Sequence, residues 1–261
     1  SHEACQRDHN TLSAINTQIL PDELADPKIK IDQNALWKAQ RRAIESIERR
    51  REIGYAFGSQ PVVSDAMAAL LGRKLKGTIV NPFCGMGSLL WSALETASAK
   101  GQSLERAIGL DIVTDDVEIA SSIAVNAPVA TTIQNVNPFE LELPYADCIV
   151  ATPPLAMQLN ETHTLLDGSK TKDSELVSLD RCVRSLKPGG RAVLHLSKGL
   201  TYRKQSENYR HYLANNLRVS GLIGLPSGTF FGTSIPSIII AIDNDRPTST
   251  FVAQIGQDWR E

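Results

Sequence analysis

The sequence predicts an α/β fold with a mostly parallel sheet that is closed by an antiparallel hairpin. Two features of the sequence support this prediction. Through most of the chain, short apolar segments alternate with amphipathic segments of about a dozen residues, and this alternation is typical of right-handed β-α-β crossovers. Near the C-terminus, two apolar segments are joined by a loop rich in Gly, Ser and Pro that is too short for a crossover helix, so we expect this pair to be antiparallel.

The predicted elements follow one another in a regular order. Helical spacing of apolar residues predicts one helix from residue 36 to about residue 53 and a second over residues 62–71, which ends at Gly72. We then expect seven strands, with helices on both faces of the sheet. Five of them lie in GTIVNPF, RAIGLDI, TTIQNV, ADCIVA and RAVLHLS, and the last two lie within VSGLIGLPSGTFFGTSIPSIIIAID. We divide the chain into an N-terminal helical lead-in, residues 1–53, and one domain, residues 54–261.

The composition limits which partners and compartments are expected. The formal net charge of the 261 residues is -2, whereas domains that bind a phosphate backbone on their own are usually basic. Four scattered cysteines lack the spacing of a zinc site, so we expect no metal and free thiols in a reducing cytoplasm. No apolar segment has the length of a bilayer span, and we expect no membrane association.

A glycine-containing turn lies where the first strand passes into the next helix. In NPFCGMGSLL, Gly85 and Gly87 allow a tight turn and close approach of a ligand to the backbone. The third glycine of a dinucleotide fingerprint is absent, which disfavours NAD. Asp111 ends the following strand, where a carboxylate can accept both hydroxyls of a ribose. The alternative role for Asp111 is a cap of the helix that follows; the three residues together favour a nucleoside ligand.

With NPFCGMGSLL, GLDI and TPPL in this order, the chain resembles S-adenosylmethionine (SAM)-dependent methyltransferases that modify amino groups of DNA. It is most similar to the modification subunit of type I restriction–modification systems, which methylates adenine N6. GYAFGSQPVVSDAMAALL resembles the segment that surrounds the methionine end of the cofactor in that family, and LKPGGRAVLHLSKGLTYR and LIGLPSGTFFGTSIPSIIIAI resemble its fifth-strand region and closing hairpin. The likeness extends from Gly54 to Asp243.

The resemblance implies a Rossmann-like, SAM-dependent methyltransferase fold and a direct methyl transfer to DNA. SAM is the implied cofactor, and a separate specificity subunit is the implied protein partner, since the connection over residues 153–173 is too short for a target-recognition domain. The residues implied to contact the cofactor are Phe57, Pro61, Asn81, Phe83, Gly85, Gly87, Asp111, Ile112 and Asn135. Asn81 stands at the end of the first strand, where the family usually has an acidic residue. Asn135, or alternatively Asn137, stands near the position of an Asp that in the family contacts the adenine.

The segment TPPL corresponds to the family signature Asn (or Asp, Ser)–Pro–Pro–aromatic, which receives a base flipped out of the duplex. The resemblance therefore implies that Thr152, Pro153, Pro154 and Leu155 face the target amine. Thr152 offers one acceptor in place of an amide. Leu155 offers apolar contact without stacking, a loss of about 1–3 kcal/mol. We expect reduced activity from these replacements.

Two other functions stay open. The chain could be a catalytically inactive relative that uses the fold to bind nucleic acid or a protein partner, or it could methylate an amine of RNA or protein. Among the histidines, His195 lies between apolar neighbours and is expected in the core. His163 lies in a predicted loop, ETHTLLDGSK, and could approach the target pocket as a substitute polar group.

Overall fold

The computed structural model describes residues 32–50 and 58–258 of the chain. Within these residues, eight strands form one sheet and two form a separate hairpin. The strands are β1 (Gly77–Asn81), β2 (Leu104–Asp111), β3 (Ala130–Asn135), β4 (Ala146–Ala151), β5 (Gln158–Thr164), β6 (Lys170–Asp173), β7 (Leu186–Ser197), β8 (Arg218–Leu225), β9 (Ser237–Asp243) and β10 (Phe251–Gln254). The α-helices are α1 (Gln33–Arg50), α2 (Pro61–Leu71), α3 (Ser88–Ala99), α4 (Thr114–Ala124), α5 (Ser174–Arg184) and α6 (Glu207–Asn216).

The main sheet has the strand order β10-β8-β9-β7-β4-β1-β2-β3. Strands β7, β4, β1, β2 and β3 are parallel to their neighbours in this series. Strand β9 runs antiparallel to both β7 and β8. The predicted mostly parallel sheet with an antiparallel hairpin at its end is therefore confirmed.

Two hydrophobic cores lie on opposite faces of the sheet, because successive side chains of a strand point in opposite directions. Ile79 of β1 belongs to the core that contains residues of α1, α2, α3 and α4. Val80, the next residue, belongs to the core that contains residues of α5 and α6. Helices cover both faces, as predicted.

The structure differs from the prediction in two places. The eighth strand of the sheet, β10, was not among the seven expected; it pairs in parallel with β8, and its residues are mostly exposed. The connection that follows β4 contains the antiparallel hairpin β5–β6, most of whose residues are also exposed. Both elements lack the buried apolar face from which strands are recognised in a sequence.

Helix α1 packs on the domain instead of standing apart from it. Trp37 and Ile44 are buried in the same core as α3, and the ring of Trp37 meets that of Trp91 edge to face, with centroids 5.0 Å apart. Arg41 of this helix pairs with Asp65 at 2.6 Å. The division of the chain at residue 53 stays a prediction, because residues 51–57 lie outside the described part.

Two features are absent from the residues that the structure describes. None of their helices combines the length and the apolar character needed to cross a membrane. No group of three or more His, Cys, Asp and Glu side chains among them is arranged to hold a metal ion.

Candidate active site

The carboxyl ends of three neighbouring strands carry most of the predicted site residues. Strands β4, β1 and β2 are adjacent and parallel, so their carboxyl ends share one edge of the sheet. Asn81 and Asp111 are the last residues of β1 and β2, and Thr152 directly follows β4. The topology therefore brings the predicted cofactor and target positions to the same edge.

The two glycines of the turn after β1 are required for different reasons. Gly85 has φ +51° and Gly87 has φ +94°, both in the left-handed region that favours glycine. A Cβ at Gly87 would lie 2.3 Å from the indole ring of Trp91. Gly87 is thus required also for packing against helix α3, whereas Gly85 is required by its backbone conformation, in which its N–H donates to Asp111.

Asp111 is the centre of a hydrogen-bond network at this edge. Its Oδ2 accepts from the N–H of Gly85 at 2.7 Å, and its Oδ1 accepts from the N–H of Val113 at 3.0 Å. Burial raises the pKa of Asp111, against the opposing effect of these hydrogen bonds. Each carboxylate oxygen can accept a further hydrogen bond, which leaves capacity for two hydroxyl groups.

Asn81 is buried with one half of its amide unsatisfied. Its side chain is 0% exposed, and its Oδ1 accepts from the N–H of Phe83 at 3.2 Å. This hydrogen bond determines which way the amide points. The Nδ2 donor has no partner among the described residues. A buried donor without a partner is costly, so a ligand acceptor that reached it would be stabilised.

The remaining predicted cofactor residues occupy different surroundings. Asn135 is exposed; its Nδ2 donates to the carbonyl of Asp111 at 3.2 Å and its Oδ1 accepts from Thr114 at 3.2 Å. The side chain of Ile112 is 60% exposed beside Asp111. The described residues also include Pro61, which begins helix α2, and Phe83, whose ring lies 5.2 Å from that of Phe139. Phe57 lies outside the described residues.

Residues 152–155, which we call the proline ledge, follow β4 directly. Thr152 is half-buried and Pro153 is buried. The carbonyl of Pro154 accepts from the hydroxyl of Ser174 at 2.8 Å. Leu155 is only 6% exposed, so its side chain presents little surface to a base. Among the described residues, Ala156 is a non-glycine residue with positive φ, +51°, and such strained backbone is frequent near functional sites.

The proline ledge is attached to a buried ionic cluster at the start of helix α5. Asp173 caps this helix by accepting from the N–H of Leu176 at 3.0 Å. Arg203 donates to Asp173 at 2.9 Å and to Glu175 at 3.2 Å. Because Ser174 lies between the two carboxylates and holds the carbonyl of Pro154, the cluster fixes the ledge relative to the sheet.

A series of side-chain hydrogen bonds leads from Thr152 into the core; we call it the polar chain. The hydroxyl of Thr152 lies 2.7 Å from that of Ser59, which lies 2.8 Å from Nδ1 of His195. Nε2 of His195 lies 2.8 Å from the hydroxyl of Ser237, which lies 2.7 Å from that of Thr229. His195 is 0% exposed, as expected for a core histidine. Its contact with the ledge through Ser59 was not predicted.

His163, the other histidine considered, is part of strand β5 and half-buried. Burial and the nearby charge of Arg181 lower its pKa. No hydrogen bond from the described residues links it to Thr152.

Comparison with known structures identifies several similar folds. A structure from Listeria monocytogenes, described as a candidate class I S-adenosylmethionine-dependent methyltransferase, has a TM-score of 0.75 at 14% identity and covers 98% of this chain and 94% of its own. The modification subunit of a candidate type I restriction enzyme from Vibrio vulnificus has a TM-score of 0.70 at 17% identity, over 88% of this chain and 54% of its own. The methyltransferase subunit of a type I restriction–modification system from Streptococcus thermophilus has a TM-score of 0.69 at 22% identity, over 80% of this chain and 49% of its own.

These likenesses establish the methyltransferase fold, and the chain spans about half the length of the two type I subunits. A comparison at the level of sequence families is more specific. The family model described as N-6 DNA methylase matches residues 48–257, which is most of the chain and includes the glycine turn, Asp111 and the proline ledge. The chain therefore belongs to the N-6 DNA methylase family.

Proposed function

We propose that this domain binds SAM at the glycine turn and transfers a methyl group to the N6 amine of adenine in DNA. One observation carries the proposal: in a chain of the N-6 DNA methylase family, Asp111 and the proline ledge lie at the same carboxyl edge of the parallel part of the sheet, on the two strands that flank β1. A ligand held by Asp111 would lie beside an amine held by Thr152. SAM supplies, when bound, an electrophilic methyl group on a sulfonium centre.

The residues around the glycine turn suit the two ends of SAM. We assign the ribose hydroxyls to the free acceptor capacity of Asp111, and the adenine ring to the exposed apolar surface of Ile112. We assign the methionine carboxylate to the buried Nδ2 donor of Asn81, which needs an acceptor. Asn135, Phe83 and Pro61 would border this site, and Phe57 is proposed from the resemblance alone.

At the target end, two oxygens remain for the amine. The hydroxyl oxygen of Thr152 can accept a hydrogen bond from the amine, and no hydrogen bond from the described residues reaches the carbonyl of Pro153. The carbonyl of Pro154 is already used by Ser174. Two acceptors would hold the lone pair of the amine in line with the methyl group, which is the positioning that direct transfer needs. No covalent intermediate with the protein is required.

A separate specificity subunit would complete the enzyme. The net charge of -2 provides little general attraction to DNA, and the hairpin β5–β6 is the only insertion between the proline ledge and α5 in this part of the described chain. Recognition of a DNA sequence would therefore come from the partner. We also propose a cytoplasmic location, where DNA and SAM are both present.

One observation favours a second function, that of a methyltransferase fold without catalysis. Leu155 is buried, so the flipped base would lack the aromatic face on which it stacks in the family. A domain with this defect could still bind SAM and a protein partner. Methyl transfer to DNA distinguishes the two functions, since SAM binding is expected of both.

The first test is calorimetric titration of the full chain with SAM. We expect binding, and we expect Asp111→Ala to weaken it by about 10-fold or more, since a hydrogen bond to a charged group contributes about 1.5–3 kcal/mol. Glu105→Gln, at the exposed opposite end of the same strand, is the control and should bind as the wild type does. Absence of binding at millimolar SAM would contradict the proposal.

A further inference from the structure

We infer that the polar chain is a one-way series of hydrogen bonds that holds the hydroxyl of Thr152 as an acceptor for the target amine, which makes Ser59 and His195 positioning residues. The inference deepens the proposed function and rests on it, because it is the proposed reaction that brings an amine to Thr152. Its starting point is the unbroken sequence of contacts of 2.7–2.8 Å between the ledge and the core.

The direction in which the groups of the polar chain donate is determined at Thr229, the end of the chain furthest from Thr152. A hydroxyl has one proton to donate, whereas a carbonyl oxygen can only accept. The hydroxyl of Thr229 lies 3.3 Å from the carbonyl of Pro226 and donates to it. The contact between Thr229 and Ser237 then requires Ser237 to be the donor. Ser237 has no second proton and must accept from His195.

The same reasoning continues outwards through the histidine ring. A neutral imidazole has one N–H and one acceptor nitrogen, so Nε2 of His195 carries the proton and Nδ1 accepts from Ser59. Ser59 has then used its proton, and Thr152 must donate to it. The proton of Thr152 points into the protein, and its lone pairs are left for the amine.

The opposite direction is less favourable on two counts. It leaves the carbonyl of Pro226 without the hydroxyl of Thr229, and it leaves the proton of Thr152 without an acceptor among the described residues. It therefore makes one hydrogen bond fewer within the protein. It would also turn the Thr152 proton towards an amine that itself has protons to donate.

The surroundings of His195 keep the ring fixed and neutral. Its ring stacks on that of Phe230, with centroids 3.7 Å apart. Burial lowers the pKa of His195 to about 3, so near neutral pH the ring keeps the one donor and one acceptor that the series needs. The segment carrying Ser59 is held by two backbone hydrogen bonds, from Gln60 to Thr229 at 2.9 Å and from Phe231 to Gly58 at 2.8 Å.

This arrangement explains how a threonine can stand where the resembled family has an asparagine. An amide oxygen is an acceptor by its chemistry, whereas a hydroxyl can rotate and present either its proton or its lone pairs. The polar chain removes that ambiguity for Thr152. Ser59 and His195 do not touch the substrate; they act through the orientation of Thr152.

The tautomer of His195 tests the direction without any assay of activity. In the protein labelled with ¹⁵N-histidine, we expect Nε2 of His195 to be protonated and Nδ1 to be an unprotonated, hydrogen-bonded nitrogen. His195→Gln assigns the signals. In Ser59→Ala, the Nδ1 resonance should shift as its hydrogen bond is lost, while Nε2 stays protonated. A proton on Nδ1 in the wild-type chain would overturn the inference.

The positioning role is tested by transfer from tritiated SAM to mixed-sequence single-stranded DNA, which needs no base flipping. Ser59→Ala should lower kcat by about 10-fold or more and leave KM for SAM unchanged. The reason is that a small error in the position of a reacting group lowers the reaction rate strongly. Thr152→Ser keeps the hydroxyl and should retain activity. Ser178→Ala removes a buried hydroxyl that has no partner among the described residues and serves as the control.

A double-substitution cycle separates orientation from general structural damage. In a Thr152→Val background, adding Ser59→Ala should cause no further loss of kcat, because the group that Ser59 orients is already absent. A further loss as large as that in the wild-type background would overturn the positioning role. If the wild-type chain binds no SAM in the calorimetric titration, the proposed function fails, whereas the His195 tautomer still decides how Thr152 is held.

Discussion

Leu155 shows how a replacement at a single residue changes more than one property of the site. The resembled family has an aromatic ring at this position, which stacks on the target base. In this chain the side chain is 6% exposed, so it packs inside the protein instead of offering a face. Leu155 therefore offers no stacking for two reasons: it has no aromatic ring, and its side chain is buried inside the protein.

Replacement of Leu155 by Phe should consequently destabilise the fold. Extra volume in a packed interior costs about 1–3 kcal/mol, and we expect Leu155→Phe to lower the free energy of unfolding by this amount in urea denaturation. Met157→Phe, at a side chain that is 40% exposed, is the matched control and should change stability by less than about 0.5 kcal/mol. An unchanged midpoint for Leu155→Phe would show that the pocket has room for a ring.

Single residues of the site differed in how far they could be predicted from the sequence. Gly85 and Asp111 lie in local patterns, a turn after a strand and the end of the next strand, and each can be identified from its neighbours. Ser59 has no such pattern. Its partners Thr152 and His195 are 93 and 136 residues away in the chain, and only the folded structure brings them together.

At the scale of elements, burial decided what the sequence could predict. The central strands are covered on both faces, and their apolar character was sufficient to identify them. Strands β5, β6 and β10 are largely exposed, so they lack the buried apolar face by which a strand is recognised in a sequence. The number of strands in the sheet was wrong for this reason, whereas the mostly parallel sheet and its antiparallel hairpin were confirmed.

The start of helix α5 is the element on which the position of the proline ledge depends. The carboxylates of Asp173 and Glu175 are 5% and 1% exposed, and Arg203 pairs with both. Removal of one partner from a buried ion pair leaves uncompensated charge, which is strongly destabilising. The same cluster positions Ser174, which holds the carbonyl of Pro154.

We therefore expect Arg203→Met to lower the free energy of unfolding by about 3 kcal/mol, as measured by urea denaturation. Arg246→Met, at an exposed arginine beyond strand β9, is the control and should be nearly neutral. A loss below about 0.5 kcal/mol for Arg203→Met would mean that Gln205 and Ser197, which also donate to this cluster, satisfy the carboxylates alone.

At the scale of the whole molecule, the fold brings the two proposed ligand sites to one edge of a sheet. The strand order puts β1 between β4 and β2, so the glycine turn lies between the proline ledge and Asp111. This adjacency follows from topology and requires no motion of one half of the molecule against the other. Because the topology does not depend on the side chains of the target site, the fold is retained although Thr152 and Leu155 depart from the family pattern.

The most direct measurement is a crystal structure of the chain with SAM. We predict that the ribose lies within hydrogen-bond distance of Asp111, that the methionine carboxylate meets Nδ2 of Asn81, and that the sulfonium methyl group points to the hydroxyl of Thr152. SAM bound elsewhere, or a side chain filling the space beside Gly85 and Asp111 at saturating SAM, would contradict the account.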